Sequence, residues 1–206
     1  TEYGIVYDPN LKPQNTRSYE LGADISFFNN LVSINYTYSR QNVKDQIFEV
    51  PLASSTGSSS FMTNGGKIHT NAHELTVNIN PIRLKNVDWN IGINWSKIDN
   101  YVDELAPGVE SIFLGGFTTP QVRAGIGDKF PVIYGVSYAR DDNGNLIVDE
   151  DGVPMAGKDD VIGKVSPDFI LGFNTNLRLW KFNISAVFDW KQGGQIYCGT
   201  NGLLDM

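Results

Sequence analysis

Residues 167–190 read PDFILGFNTNLRLWKFNISAVFDW, and their apolar side chains fall on every second position. Phe169, Leu171, Phe173, Leu177 and Leu179 alternate with Gly172, Asn174, Asn176 and Arg178; then Phe182, Ile184, Ala186, Phe188 and Trp190 alternate with Asn183, Ser185 and Asp189. Successive side chains of an extended strand point to opposite faces, so this period gives each strand one apolar and one polar face. The two runs meet at Trp180 and Lys181, a join so tight that an antiparallel hairpin is predicted.

The same pattern extends upstream. Tyr19, Leu21, Ala23, Ile25 and Phe27 form one apolar side, and Val32, Ile34, Tyr36 and Tyr38 another, on either side of the turn pair Asn29 and Asn30, residues that tolerate positive φ. Leu75, Val77 and Ile79 make a third run, and Trp89, Ile91, Ile93 and Trp95 a fourth. No long segment has apolar residues at helical spacing, so the chain reads as all-β.

Three features favour lipid over a packed core behind the apolar faces. The runs are about 10 residues long, enough for a tilted strand to cross a bilayer and longer than the usual strand of about 5 to 6. Their polar faces carry Asn, Ser, Thr and Gly with few charges, as a wet or plugged lumen does. Trp89, Trp180 and Trp190 lie at run ends, where aromatic girdles mark the membrane boundary. The rival is a soluble β-sandwich, for instance a carbohydrate-binding module, whose strands also alternate.

Composition narrows the classes further. A net charge of -7 and no basic stripe oppose nucleic-acid binding. The single cysteine, Cys198, cannot form an internal disulfide. Every apolar run is broken before the about 18 residues that a spanning helix needs, and TEYGIVYDPN at residues 1–10 lacks the basic and apolar regions of a signal peptide.

Short connections at 29–30, 81–88 and 180–181 alternate with long ones at 49–65 and 101–166, the asymmetry of outer-membrane barrels with short periplasmic turns and long extracellular loops. The strand beginning at Trp89 leaves a short turn and that beginning at Phe169 approaches one, so an even number of crossings separates them. Residues 101–166 are therefore expected to be an extracellular insert, holding a small hairpin of residues 130–139 and 146–149 closed around Asn143 and Gly144. About six spanning strands remain, whereas the smallest bacterial barrels have about 8. An open sheet edge has no hydrogen-bond partners in lipid, so other strands must complete the wall.

Several stretches resemble the SusC/RagA group of TonB-dependent transporters. LKPQNTRSYELGADISFFNN at 11–30 is similar to that group's approach to a late barrel hairpin, with Gln14 where Glu is usual. VPLASSTG at 50–57 and NGGKIHTNAHELTVN at 64–78 resemble the next loop and strand, although Ala72 and His73 depart from the usual Gly and aliphatic. IGKVSPDFILGFN at 162–174 and DWKQGGQIY at 189–197 follow in family order. The resemblance implies an antiparallel 22-stranded transmembrane β-barrel with a plugged lumen, located in the cell outer membrane. It implies uptake of oligosaccharides or oligopeptides with a SusD-like surface lipoprotein as lid, and TonB acting through a plug that is not among these residues. It implies no enzymatic chemistry. GTNGLLDM at 199–206 lacks the family's terminal aromatic strand.

Few residues invite site chemistry. In RDDNGNLIVDEDG, Asp141, Asn143, Asn145 and Asp149 occupy the first, third, fifth and ninth positions of an EF-hand-like calcium loop. Leu146 stands where that loop needs Gly and Gly152 where it needs a bidentate Glu, so a solvated turn is the favoured reading and no cofactor is expected. His69 and His73 would share a face on a strand but lie roughly 13 Å apart, too far for one metal ion. Phe130, Tyr134 and Tyr138 in the insert are candidates for stacking on substrate, against ordinary packing as the alternative.

Overall fold

The computed structural model describes residues 4–106, 108–116 and 119–200, so the end of the stretch at 199–206 lies outside the described residues. Its strands in chain order are β1 (Ile5–Tyr7), β2 (Asn15–Phe27), β3 (Val32–Pro51), β4 (Ser60–Arg83), β5 (Val87–Leu105), β6 (Ser111–Gly116), β7 (Gln121–Gly125), β8 (Val132–Tyr138), β9 (Ala156–Lys164), β10 (Phe169–Leu179) and β11 (Phe182–Gln192). A single 3-10 turn, Ser54–Thr56, interrupts the β structure of the described residues before the short helical end at 199–200.

The large sheet runs β11-β10-β5-β4-β3-β2, antiparallel throughout, and β1 adds a short parallel pairing to β4 beyond the end of β5. Its six antiparallel strands are those expected from the alternation. The turns form where predicted. Asn29 and Asn30 have φ of 55° and 64°, and Trp180 has φ of 55° in the two-residue link between β10 and β11.

Register places every apolar run on one side. A single row crosses the sheet through Ile25, Ile34, Val77, Ile93, Phe173 and Phe188. One residue along, on the opposite face, the row is Asp24, Asn35, Thr76, Asn94, Gly172 and Asp189. A slip of one residue in any strand would exchange its faces, so six strands in phase specify the sheet strongly.

Nothing among the described residues covers the apolar side. Leu21 is 74% exposed, Phe188 63% and Ile184 59%, whereas a sandwich would bury such residues against a second sheet. The two-layer alternative is therefore not the architecture. The buried apolar residues Phe48, Ile68, Val102, Ile112, Ala124, Val132 and Ile133 all lie in the far halves of β3 to β5 or in the second sheet. That sheet is a four-stranded meander, β6-β7-β8-β9.

Two sequence expectations need correction. β3, β4 and β5 span 20, 24 and 19 residues, well beyond a membrane crossing, and most of the expected long connection at 49–65 is strand. Those distal halves carry polar residues on both sides with only scattered apolar ones such as Phe48, Ile68 and Val102, so the regular apolar period is absent, yet each strand still finds backbone partners in its neighbours. Residues 101–166 contribute the end of β5 and four further strands. The expected hairpin of 130–139 with 146–149 is made at its tip, where Arg140 bridges Leu146 and the Gly144 amide donates to the Asp141 carbonyl at 2.9 Å. The body of β8 pairs with β7 and β9, whose short runs, interrupted by Gly and Asp, hide the strand period.

Candidate functional site

Two surfaces of the large sheet could act on other molecules, and alternation separates them. The polar face is lined by short amides and hydroxyls with carboxylates among them. Asn35 donates to Asp24, and the Thr76 hydroxyl donates to Asn94 at 3.1 Å. Around Asn35, Glu74, Thr76, Asn94, Gly172 and Asp189 these residues leave a groove of about 380 Å³. Gly172 lacks the side chain that would fill the wall between Asn94 and Asp189.

At its distal end the polar face is roofed. Ile68 on β4 and Val102 on β5 are directly paired and, by unbroken alternation along β4, lie on the same side as Glu74 and Thr76. Ile68 packs with Phe48 and Ile112, and Val50, Leu105, Val109 and Phe130 close round them. Residues 127–130 run beside β5 beyond the end of β10, with the Phe130 amide donating to the Asn100 carbonyl at 2.9 Å. The second sheet is thus tied by backbone to the wall and by side chains to its inner surface.

Charges reinforce this junction. Lys129 Nζ lies 2.5 Å from Asp99 Oδ1, and Lys97 approaches the other oxygen at 3.5 Å. Partial burial disfavours the Asp99 carboxylate, but the two lysines outweigh it and hold the group below the ordinary carboxylate range. Burial pushes Asp128 up, helped by the nearby charge of Asp160.

The candidates from sequence do not converge on one spot. Phe130 belongs to the apolar junction. Tyr134 lies under the Arg123 guanidinium at 4.8 Å and donates to the Asp159 carbonyl at 3.2 Å, while Tyr138, on the same side of β8, is exposed. Asp141 accepts the amides of Asn143 and Asn145 at 2.9 and 2.8 Å, and Asp149 accepts those of Asp151 and Val153 in the next turn. Asp141 and Asp149 thus head separate turns instead of sharing one loop. Among the described residues no group of three His, Cys, Asp or Glu side chains is placed to hold a metal ion. His69 is paired with Asp103 at 2.7 Å and His73 with the Tyr36 hydroxyl at 2.8 Å.

The tryptophans fall at two levels of the apolar face. Trp89 pairs with Ile82 and Leu177 near the short turns, with its indole N–H donating to Thr175 Oγ1 at 2.9 Å, and Trp180 occupies the adjoining turn. Trp190 lies at the opposite end of β11, edge-on to Phe169 at 5.7 Å, in one row with Trp95, the end residue of the fourth apolar run and a further aromatic at this level. From Phe182 to Trp190 is about 27 Å along the strand, or about 21 Å along the normal at a tilt of about 40°, close to the apolar band of about 25 Å in outer-membrane barrels.

Comparison with known proteins agrees with this architecture. The family model described as TonB dependent receptor-like, beta-barrel matches residues 1–201. TonB-dependent receptor P3 of Formosa agariphila is 27% identical, with 91% of this chain covered and 21% of that protein. TonB-dependent receptor SusC of Bacteroides thetaiotaomicron is 23% identical over 87% of this chain and 19% of its own length. The solved structure of the RagAB peptide transporter superimposes with a TM-score of 0.72 at 19% identity, over 87% of this chain and 21% of that one. The chain spans about a fifth of the length of these relatives. An unclosed antiparallel sheet with β2 and β11 as its edges is what a section of such a wall must be, and the chain belongs to the TonB-dependent receptor β-barrel family, with the features of its SusC/RagA type.

Proposed function

We propose that this chain is part of the wall and outer mouth of an outer-membrane transporter that imports oligosaccharides or oligopeptides. The carrying observation is the opposition of faces: six strands in phase present an uncovered apolar side, while the polar side is roofed at one end. Hydrocarbon satisfies the first, and missing strands pairing with β2 and β11 would satisfy the second by closing a lumen.

In this reading the short turns at 28–31, 84–86 and 180–181 face the periplasm. The distal halves of β3 to β5 and the β6–β9 sheet stand outside the cell. Trp89 and Trp180 sit at the inner membrane boundary and Trp190 at the outer one. The wall works by passage and does no bond chemistry. A SusD-like lipoprotein covers the outer mouth, substrate is enclosed beneath it, and TonB pulls on a plug to open the path. Exposed Tyr138 and half-buried Tyr134 are the aromatic surfaces available to substrate, whereas Phe130 is committed to packing. The peptide class is favoured by RagAB, a peptide transporter of the same fold.

The test uses the full-length protein in its native outer membrane. Affinity capture is expected to retain a surface lipoprotein, and disruption of its gene to abolish uptake of labelled oligopeptides or oligosaccharides. Unchanged uptake of both classes, or protease cleavage near Leu146 only after the outer membrane is breached, would refute the reading.

A further inference from the structure

The apolar face ends abruptly. From the turns up to the row Tyr36, Leu75, Trp95, Leu171 and Trp190, no charged side chain lies on that side of the strands. The next row is Leu21, Tyr38, His73 and Lys97; then Tyr19, Arg40, Asn71 and Asp99; then Arg17, Asn42, His69 and Tyr101, which bridges Lys129. These rows share the face of the apolar band and continue it directly.

The permanent charges there are Arg17, Arg40, Lys97 and Lys129 against Asp99 and Asp103, with Asp168 close to both lysines but paired to Lys164. Both lysines share Asp99, and Asp103 is taken by His69. The two arginines reach only neutral groups, Arg17 donating to the Tyr19 hydroxyl at 3.5 Å and Arg40 to Asn42 Oδ1 at 3.3 Å. Among the described residues neither guanidinium has a carboxylate within ion-pair distance. A cationic excess on one strip of a chain of net charge -7 needs an anionic neighbour. Because the strip continues the hydrocarbon side of the sheet, the anions it meets are those of the bilayer surface and not of the transported substrate.

We infer that Arg17 and Arg40, with Lys97, Tyr19 and Tyr38 around them, bind the phosphate groups of a phosphorylated lipid headgroup in the outer leaflet. Planar guanidinium forks match phosphate oxygens, and tyrosines sit at headgroup level with the hydroxyl outward. The inference rests on the outer-membrane placement proposed above.

The test takes the full-length protein into phosphatidylethanolamine vesicles containing either diphosphorylated lipid A or the same lipid with its phosphates removed, and measures lipid retained through purification. The intact protein is expected to prefer the phosphorylated form. Arg17→Gln with Arg40→Gln should weaken that binding about thirtyfold, the effect of removing two cations from an anionic surface, and leave the dephosphorylated lipid unaffected. Lys191→Gln, on the opposite face near the same level, should change nothing. Should the double variant fail to fold, Lys97→Gln alone is read, with a loss of about fivefold expected. Equal retention of the two lipids, or displacement by inorganic phosphate, overturns the lipid site while leaving the transporter reading intact. Failure to enter either vesicle overturns both.

Discussion

Arginine placed at Ile93, at Asn94 and at Leu21 separates a membrane-facing wall from any other use of this sheet. Ile93 lies in the row Val77, Ile93 and Phe173, four positions from Trp89 on one side and four from Lys97 on the other. Four residues are about 14 Å along a strand, or about 10 Å along the normal at a tilt of about 40°. Ile93 is thus near the middle of the apolar band, and Ile93→Arg should cost about 2–4 kcal/mol, the depth-dependent cost of a cation on the lipid face. That is about thirtyfold to a thousandfold in the folding equilibrium. Leu21 shares the face but lies in the row of Lys97 at the boundary, where the same substitution should cost about 0–1 kcal/mol. Asn94 is one residue from Ile93 but points to the polar side, opposite Gly172, where a longer side chain has room. Asn94→Arg forfeits the Thr76 hydrogen bond, about 1 kcal/mol. Denaturant unfolding of the full-length protein in vesicles measures all three. Equal losses at Ile93 and Leu21, or a larger loss at Asn94, would refute the assignment of faces.

The roof should separate from the wall. Phe48→Ala removes a ring 6% exposed from the junction and is expected to cost about 3–5 kcal/mol, seen as faster hydrogen exchange across β6 to β9 with β10 and β11 unchanged; uniform acceleration would mean one cooperative unit instead. Asp141 is held below the ordinary carboxylate value of 3.8, chiefly by the Asn145 side chain and then by backbone amides. The lowered folded value gives a stabilisation that is complete above pH 3.8 and is lost as pH falls from there through the folded value, so pepsin cleavage near Leu146 should rise on acidification relative to Asp141→Asn, in which no such titration remains. Gly193 has φ of 69°, and a Cβ there would lie 2.4 Å from Asp168 Oδ2. Gly193→Ala should therefore loosen the distal end of the β10–β11 hairpin by about 1–2 kcal/mol, measurable as faster exchange of the Asp168 amide, which donates to the Gln192 carbonyl.

Where one face must meet hydrocarbon, the sequence is constrained at every second position, and that is where it could be read. The apolar runs beginning at Tyr19, Val32, Leu75, Trp89, Phe169 and Phe182 pair in register across the whole sheet, with turns at Asn29–Asn30 and Trp180–Lys181. Beyond the Trp95 row the constraint lapses. Thr70 and Asn71 sit in strands as regular as those of the membrane band, but water is acceptable on either side of them, so their polarity reads as loop. The short strands β6 and β7, with Gly115, Gly116 and Gly125 at their ends, offer still less periodicity, and their pairing is decided by tertiary contact with Phe48 and Ile68.

A signal for the roof was nevertheless present, in the phase of isolated apolar residues. Along β4 the apolar side takes Leu75, Val77 and Ile79, and His69 and His73 continue it; Ile68 is the residue out of step. Along β5 the same side takes Trp89 to Trp95 and then Lys97, Asp99 and Tyr101, and Val102 is out of step in turn. Each would put a hydrocarbon side chain into a wet lumen unless something covered it. The two are paired with each other and buried, at 8% and 1% exposure. An out-of-phase apolar pair on neighbouring strands thus marks the level at which a lumen-facing wall stops being wet. Here that level coincides with the rows where the opposite face turns from apolar to cationic, so both faces change character at one height.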